Sequence, residues 1–250
     1  MLGSFYETLE NNYKKLLAFS SNYPDLRDLL DAFIVSSRAM ISDSLEHAKR
    51  SLPLATAHLC WRNVYSYQED SLVLLILGKP DEGYGLLRMA AELSRDTARI
   101  CENVSYYEMW QDRQKTRFEK RYKDVFRFRE DDHIEKLVFS LYNMFSDFGI
   151  HGHQTVDIFR SKHDFSPDGD YMIMRATDFD ILDSLVIWLA SFFPLQTLAS
   201  RGFQGFLSEK KSVALKSFLE MTVASGDVIK ELRDKVEEMK RQASKLDVTN

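Results

Sequence analysis

The scarcity of chain breakers constrains this sequence most. Only 10 glycines and 5 prolines occur in 250 residues, and these two residue types are the ones that punctuate regular structure. Between them, apolar residues recur at helical spacing almost throughout. Such a chain is committed to long helices that each bury one face. The reading is an all-α fold, a single bundle of about eight or nine helices, paired antiparallel through short turns marked by Pro or Gly.

The punctuation locates the elements. Ser4 and Glu7 form a capping box, followed by Phe5, Leu9, Tyr13 and Leu16 at helical spacing. Pro24 suits a first helical position, and Leu26, Leu29, Leu30, Phe33, Ile41 and Leu45 carry a second helix to Arg50. Pro53 opens a third, stopped by Gly78 and Pro80. A fourth runs from Asp81 past Glu102. Its apolar side is Leu86, Leu87, Met89, Ala90, Leu93, Ala98, Ile100 and Cys101, and its charged ladder is Arg88, Glu92, Arg95 and Arg99. Residues 111–132 read as a basic helix or helical lid with the aromatic stripe Phe118, Tyr122 and Phe126. Helices follow over Asp132–Phe148 and His153–Lys162, then a turn at Ser166–Asp170 and a short extended piece at Tyr171–Met174. Further helices span Asp178–Ser200 and Gly205–Ala224. The last begins after Gly226-Asp227, so residues 1–226 read as the bundle and 227–250 as a C-terminal amphipathic helix.

Composition narrows the classes of function. The net charge of −5 gives no whole-molecule attraction to nucleic acid or anionic membrane, so any such binding needs a local patch. Cys60 and Cys101 sit in apolar helical stretches. Two thiols make no disulfide framework and fit a reducing, cytoplasmic setting. Met1–Glu7 has neither a basic region nor an apolar core, so it is not a secretion signal. The 17 residues from Ser184 to Ser200 carry no charge. They fall short of the roughly 20 apolar residues a membrane span needs and contain Pro194, so they read as a core helix.

One stretch hints at chemistry. Tyr142 and Ser146 lie four apart on one helix face, and Gly149-Ile150-His151-Gly152-His153 then turns two imidazoles back toward them. Imidazole titrates near neutral pH, as a general acid or base must. On the fourth helix, Arg88 offers a bidentate contact to phosphate, and Glu92 one turn later can orient Arg88 or His151. Three readings stand side by side: a buried structural network, a solvated charged face, and a functional site. The metal reading of His151-x-His153 with Asp157 and His163 is set aside, because zinc sites favour H-x3-H spacing on a helix. No metal and no cofactor are expected.

Gly85-Leu86-Leu87-Arg88-Met89-Ala90-Ala91-Glu92-Leu93 and Tyr142-x3-Ser146-x4-His151 resemble the motifs of a group of uncharacterised bacterial all-helical proteins. Its members show L-x-R-x3-E followed by Y-x3-S-x3–5-H, and the group is distantly similar to HEPN domains. The likeness spans residues 55–200. It implies a HEPN-like core, frequent dimerisation and metal-independent RNA cleavage, with a departure at Ser146, where active HEPN domains place the arginine of Arg-x4–6-His. Arg88 would then have to supply that cation. The site implied is His151, Arg88, Glu92, Tyr142 and Ser146, in a protein that binds or cleaves RNA in a defence or toxin setting.

Arg117, Arg121 and Lys123, in the basic stretch with its aromatics, are the expected phosphate-binding surface. The alternative is a non-enzymatic helical interaction protein whose polar cluster only locks helix packing. In either case Ile229, Leu232, Val236, Met239, Ala243 and Leu246 step by 3 and 4, an a/d seam that has to be buried on the chain's own bundle or on another helix, with a second copy or a partner helix expected.

Overall fold

The computed structural model describes residues 5–113, 119–149 and 178–247, and among these it is all-α with no strand. The helices are α1 (Phe5–Asn22), α2 (Pro24–Asp43), α3 (Leu45–Ala48), α4 (Leu52–Ile76), α5 (Pro80–Glu102), α6 (Val104–Gln111), α7 (Glu119–Val125) and α8 (His133–Gly149). Then come α9 (Asp178–Ser200), a 3-10 turn (Arg201–Phe203), α10 (Gln204–Glu209) and α11 (Val213–Asp247). The expected helix from His153, the turn at 166–170 and the extended piece at 171–174 lie outside the described residues.

The centre is the antiparallel pair α4 and α5. Helix α4 ends in a Schellman motif: Gly78 adopts φ 74°, Gly78 N–H donates to Leu75 O, and Lys79 N–H to Leu74 O. Pro80 then opens α5. Helix α9 lies against both α4 and α5, α8 against α5 and α9, and α11 against α9 and α2. Trp61, Trp188, Phe33, Phe192, Phe203, Leu75 and Leu87 are fully buried where these helices meet. Phe33 of α2 stacks on Phe192 at 5.3 Å and meets Phe193 edge-on at 4.8 Å. The stretch Ile181–Glu209 has the length and composition to cross a membrane, and 72% of its most apolar window is buried inside this fold.

A polar seam fixes α4 against α9 within that apolar core. Trp61 Nε1 donates to Gln196 Oε1 (2.8 Å), Gln196 Nε2 to Gln68 Oε1 (2.5 Å), and Gln68 Nε2 to Phe192 O (3.3 Å). Trp188 Nε1 donates to Gln68 O (2.9 Å) and Ser71 Oγ (3.0 Å). Each of these buried groups is satisfied by another, so the helices can dock in only one register without orphaning a donor.

Three expected elements differ, beside the helix expected over Gly205–Ala224, which breaks between Glu209 and Val213. The helix expected over residues 24–50 breaks at Ser44, whose hydroxyl donates back to Ile41 O (2.8 Å). Of the basic helix expected over residues 111–132, the described residues include the last residue of α6, the short α7 and a non-helical stretch from Phe126 to Asp132. The physical reason is Arg99, whose guanidinium takes the Val125 and Arg127 carbonyls. Third, α11 runs through Gly226 without a break, because a single glycine costs a helix only about 1 kcal/mol. Leu232 and Val236 are buried within the single chain, with Ile229 and Met239 partly buried beside them. The middle of the heptad seam is therefore covered by the chain's own bundle.

The break before α11 comes at Lys211, a non-glycine residue at φ 51°. Lys211 N–H donates to Ser208 O and Ser212 N–H to Leu207 O, the same Schellman pattern as at Gly78. Gly202 has the opposite property: a Cβ there would meet Cys101 Cβ and Sγ at 2.3 Å. Lys211→Gly should raise stability by about 0.5–1 kcal/mol by relieving the left-handed strain. Gly202→Ala should lower it by about 1–3 kcal/mol through overpacking. Urea unfolding midpoints of the two variants should move in opposite directions from wild type.

Candidate functional site

Helices α5 and α8 bring together three of the five residues singled out for chemistry. Arg88 Nη2 donates to Tyr142 Oη at 3.1 Å and pairs with Glu92 Oε1 at 3.1 Å. The Arg88 guanidinium lies over the Tyr142 ring, 5.2 Å from its centroid. Arg88 Nε is buried and has no hydrogen-bond partner among the described residues. Ser146 Oγ donates to the Tyr142 carbonyl of its own helix at 2.8 Å. The group is half-buried, with the Arg88 and Glu92 side chains 27% and 39% exposed. His151 and its companions His153, Asp157 and His163 lie outside the described residues. Among the described residues, no group of three or more His, Cys, Asp or Glu is placed to hold a metal ion.

The basic surface is also only partly described. Arg117 and the Arg121 side chain lie outside the described residues, while Lys123 is exposed at the end of α7. Among the neighbouring cations, Arg113 lies over the Trp110 ring at 3.8 Å and Arg129 pairs with Glu102 at 2.7 Å. Tyr122 stacks on the buried Phe126 at 4.5 Å. That part of the aromatic stripe faces the bundle.

The charged ladder of α5 does not stay in solvent as it continues. Arg99 is fully buried, and its fork meets Glu135, also fully buried, through Nη1–Oε1 (2.7 Å) and Nη2–Oε2 (2.5 Å). Arg201 Nη1 reaches Glu135 Oε1 (3.4 Å) and Asp132 Oδ2 (2.8 Å). Asp132 caps α8, with Oδ1 accepting from the N–H groups of Ile134 and Glu135 (both 3.0 Å). Asp132-x-x-Glu135 has capping-box spacing, yet Glu135 turns away from the cap. It accepts instead from Arg99, Arg201 and the Arg129 N–H (2.9 Å). The Arg201 hydrogen bond holds the Asp132 carboxyl below its ordinary range.

One turn earlier, Asp96 gathers a second network. Its carboxylate accepts from Arg95 Nη2 (2.7 Å), Trp110 Nε1 (3.0 Å) and Tyr122 Oη (2.9 Å). Burial first, then the Asp96 charge, push the Tyr122 hydroxyl up. Neither network was visible as chemistry in the sequence. The available signals were an acidic residue in the first turn of an amphipathic helix, at Glu135, and an arginine ladder longer than one exposed face needs.

The chain matches no protein-family model, and no curated protein or solved structure shows detectable similarity to it.

Breaking the central pair should be severe. Arg99→Met or Glu135→Gln alone should cost about 3–5 kcal/mol, because the partner charge is left buried, while Arg99→Met with Glu135→Leu should recover much of that loss. Chemical denaturation of the three variants measures it. Acid should act through Asp132. Its folded pKa lies below the unfolded value, so its contribution is full above the ordinary carboxylate pKa of about 3.9 and is lost as pH falls through the lowered value. Unfolding midpoints followed down from neutral pH should fall less steeply for Asp132→Asn than for wild type.

Proposed function

We propose that this protein is a non-enzymatic helical interaction protein whose Arg88–Glu92–Tyr142 cluster fastens α5 to α8. The observation that carries this reading is the state of the Arg88 guanidinium. Nη2 is committed to both Tyr142 and Glu92, the guanidinium lies over the Tyr142 ring, and Nε is buried without a partner among the described residues. A phosphate-binding arginine needs its donor fork open to solvent. Ser146, which stands where an active HEPN domain would carry arginine, donates its hydroxyl to its own helix. A hydroxyl closed on the i−4 carbonyl supports a structural role better than a catalytic one.

The RNA-cleaving reading implied by the HEPN resemblance needs His151 beside an accessible Arg88, and one experiment separates the two. Wild type, Arg88→Ala and His151→Ala are incubated with single-stranded and structured RNA, and their melting is followed in parallel. We expect no cleavage by any of them and only salt-sensitive, sequence-independent binding. Arg88→Ala should lose about 1–3 kcal/mol, because Tyr142 and Glu92 are left without their partner. Cleavage by wild type that disappears in a normally melting His151→Ala variant overturns the proposal in favour of a ribonuclease.

A further inference from the structure

Helices α2 and α4 diverge around a cleft of ≈480 Å³ that plays no part in the Arg88 cluster on α5 and α8. Its volume falls in the range of small-molecule sites, roughly 300–1,000 Å³. Arg38, Ile41, Ser42 and Leu45 line one side, and His58, Arg62, Tyr65 and Glu69 the other. We infer that this cleft binds a small organic acid with a single carboxylate and an apolar body.

The polar groups are held in place before any ligand arrives. Arg38 Nε donates to Tyr65 Oη (2.6 Å) and its Nη2 to Glu69 Oε1 (2.5 Å), with the guanidinium 5.6 Å from the Tyr65 ring centroid. Those contacts fix the plane of the guanidinium and leave Nη1 without a partner among the described residues. His58 Nε2 donates to Ile41 O (2.9 Å), and its ring packs edge-on to Phe203 at 5.9 Å. The buried imidazole is thus a fixed part of the wall. A preorganised wall reduces the ordering that binding must otherwise impose.

Charge then selects the ligand. Arg38 is neutralised by Glu69. Arg62 is exposed and has no ion pair or hydrogen bond among the described residues. The lining therefore carries one uncompensated positive charge, which suits a monoanion. A dianion would meet the Glu69 carboxylate with no second free cation to balance it. Leu45, still 45% exposed, lines the same cleft with Ile41 and the Tyr65 ring. An acid with an aryl or branched alkyl body covers that surface, whereas bare acetate does not.

The probe is phenylacetate, titrated into the full-length protein by calorimetry with thermal melting in parallel. Acetate and inorganic phosphate at matched ionic strength are the controls. Saturable phenylacetate binding is expected, with acetate at least about tenfold weaker for lack of an apolar body. Arg62→Gln should fold normally, since Arg62 is exposed, and should weaken phenylacetate about tenfold or more. Leu45→Ala should weaken it severalfold. Absence of saturable binding, an Arg62→Gln variant that binds as wild type does, or phosphate competing as well as phenylacetate would each overturn the assignment. None of these outcomes depends on whether the protein cleaves RNA.

Discussion

The fold turns on a fully buried ion pair. Arg99 and Glu135 have lost all contact with water, and two charges pay for such burial only when every remaining donor and lone pair is met. Here they are met from four directions: α5 supplies Arg99, the end of α7 and the stretch after it supply the Val125 and Arg127 carbonyls and the Arg129 N–H, α8 supplies Glu135, and the turn after α9 supplies Arg201. Arg99, Arg129 and Arg201 face Glu102, Asp132 and Glu135, so opposite charges are matched within the cluster. Moving any of the four segments leaves a charge stranded in the interior. That is why a stretch with the sequence of a helix is held out of helical form after Val125.

The second fastening uses neutral groups. Gln196 donates its amide to Gln68, Gln68 donates in turn to the Phe192 carbonyl, and Trp61 and Trp188 donate their indole N–H groups to Gln196 Oε1 and the Gln68 carbonyl. Side-chain amides carry both donors and acceptors, so this seam satisfies itself without ionic pairing. The ion pair locks α5 to α8 and the amide seam locks α4 to α9. With α4 and α5 already joined by a tight turn, the three-way contact among α4, α5 and α9 follows.

Much of this architecture was legible in the sequence, because helix periodicity and proline or glycine punctuation are local signals. The pair of Schellman caps shows where legibility ends. Gly78 announces its turn by residue type, whereas Lys211 adopts the same left-handed conformation with nothing in its identity to reveal it. Arg99 looked like the continuation of a solvated ladder, because a side chain's partner across the bundle has no sequence spacing to read. The grouping of Arg88 and Glu92 with Tyr142 is one that the family resemblance implies, and the three side chains meet in the structure. What spacing could not supply was the direction of the donors: Arg88 turned onto the tyrosine ring, and Ser146 turned back onto its own helix.

The two thiols carry a consequence of their own. Burial pushes both Cys60 and Cys101 up to about 12, and Gly202 sits so close to Cys101 that not even a methyl group fits between them. Thiolate is the reactive form, so at neutral pH both sulfurs react slowly while the bundle is closed, and only Cys60 is also buried from solvent, Cys101 being partly exposed. Alkylation of Cys60 therefore counts openings of the core rather than encounters at the surface, with the partly exposed Cys101 as its reference. The chain carries a built-in clock for its own breathing, on α4.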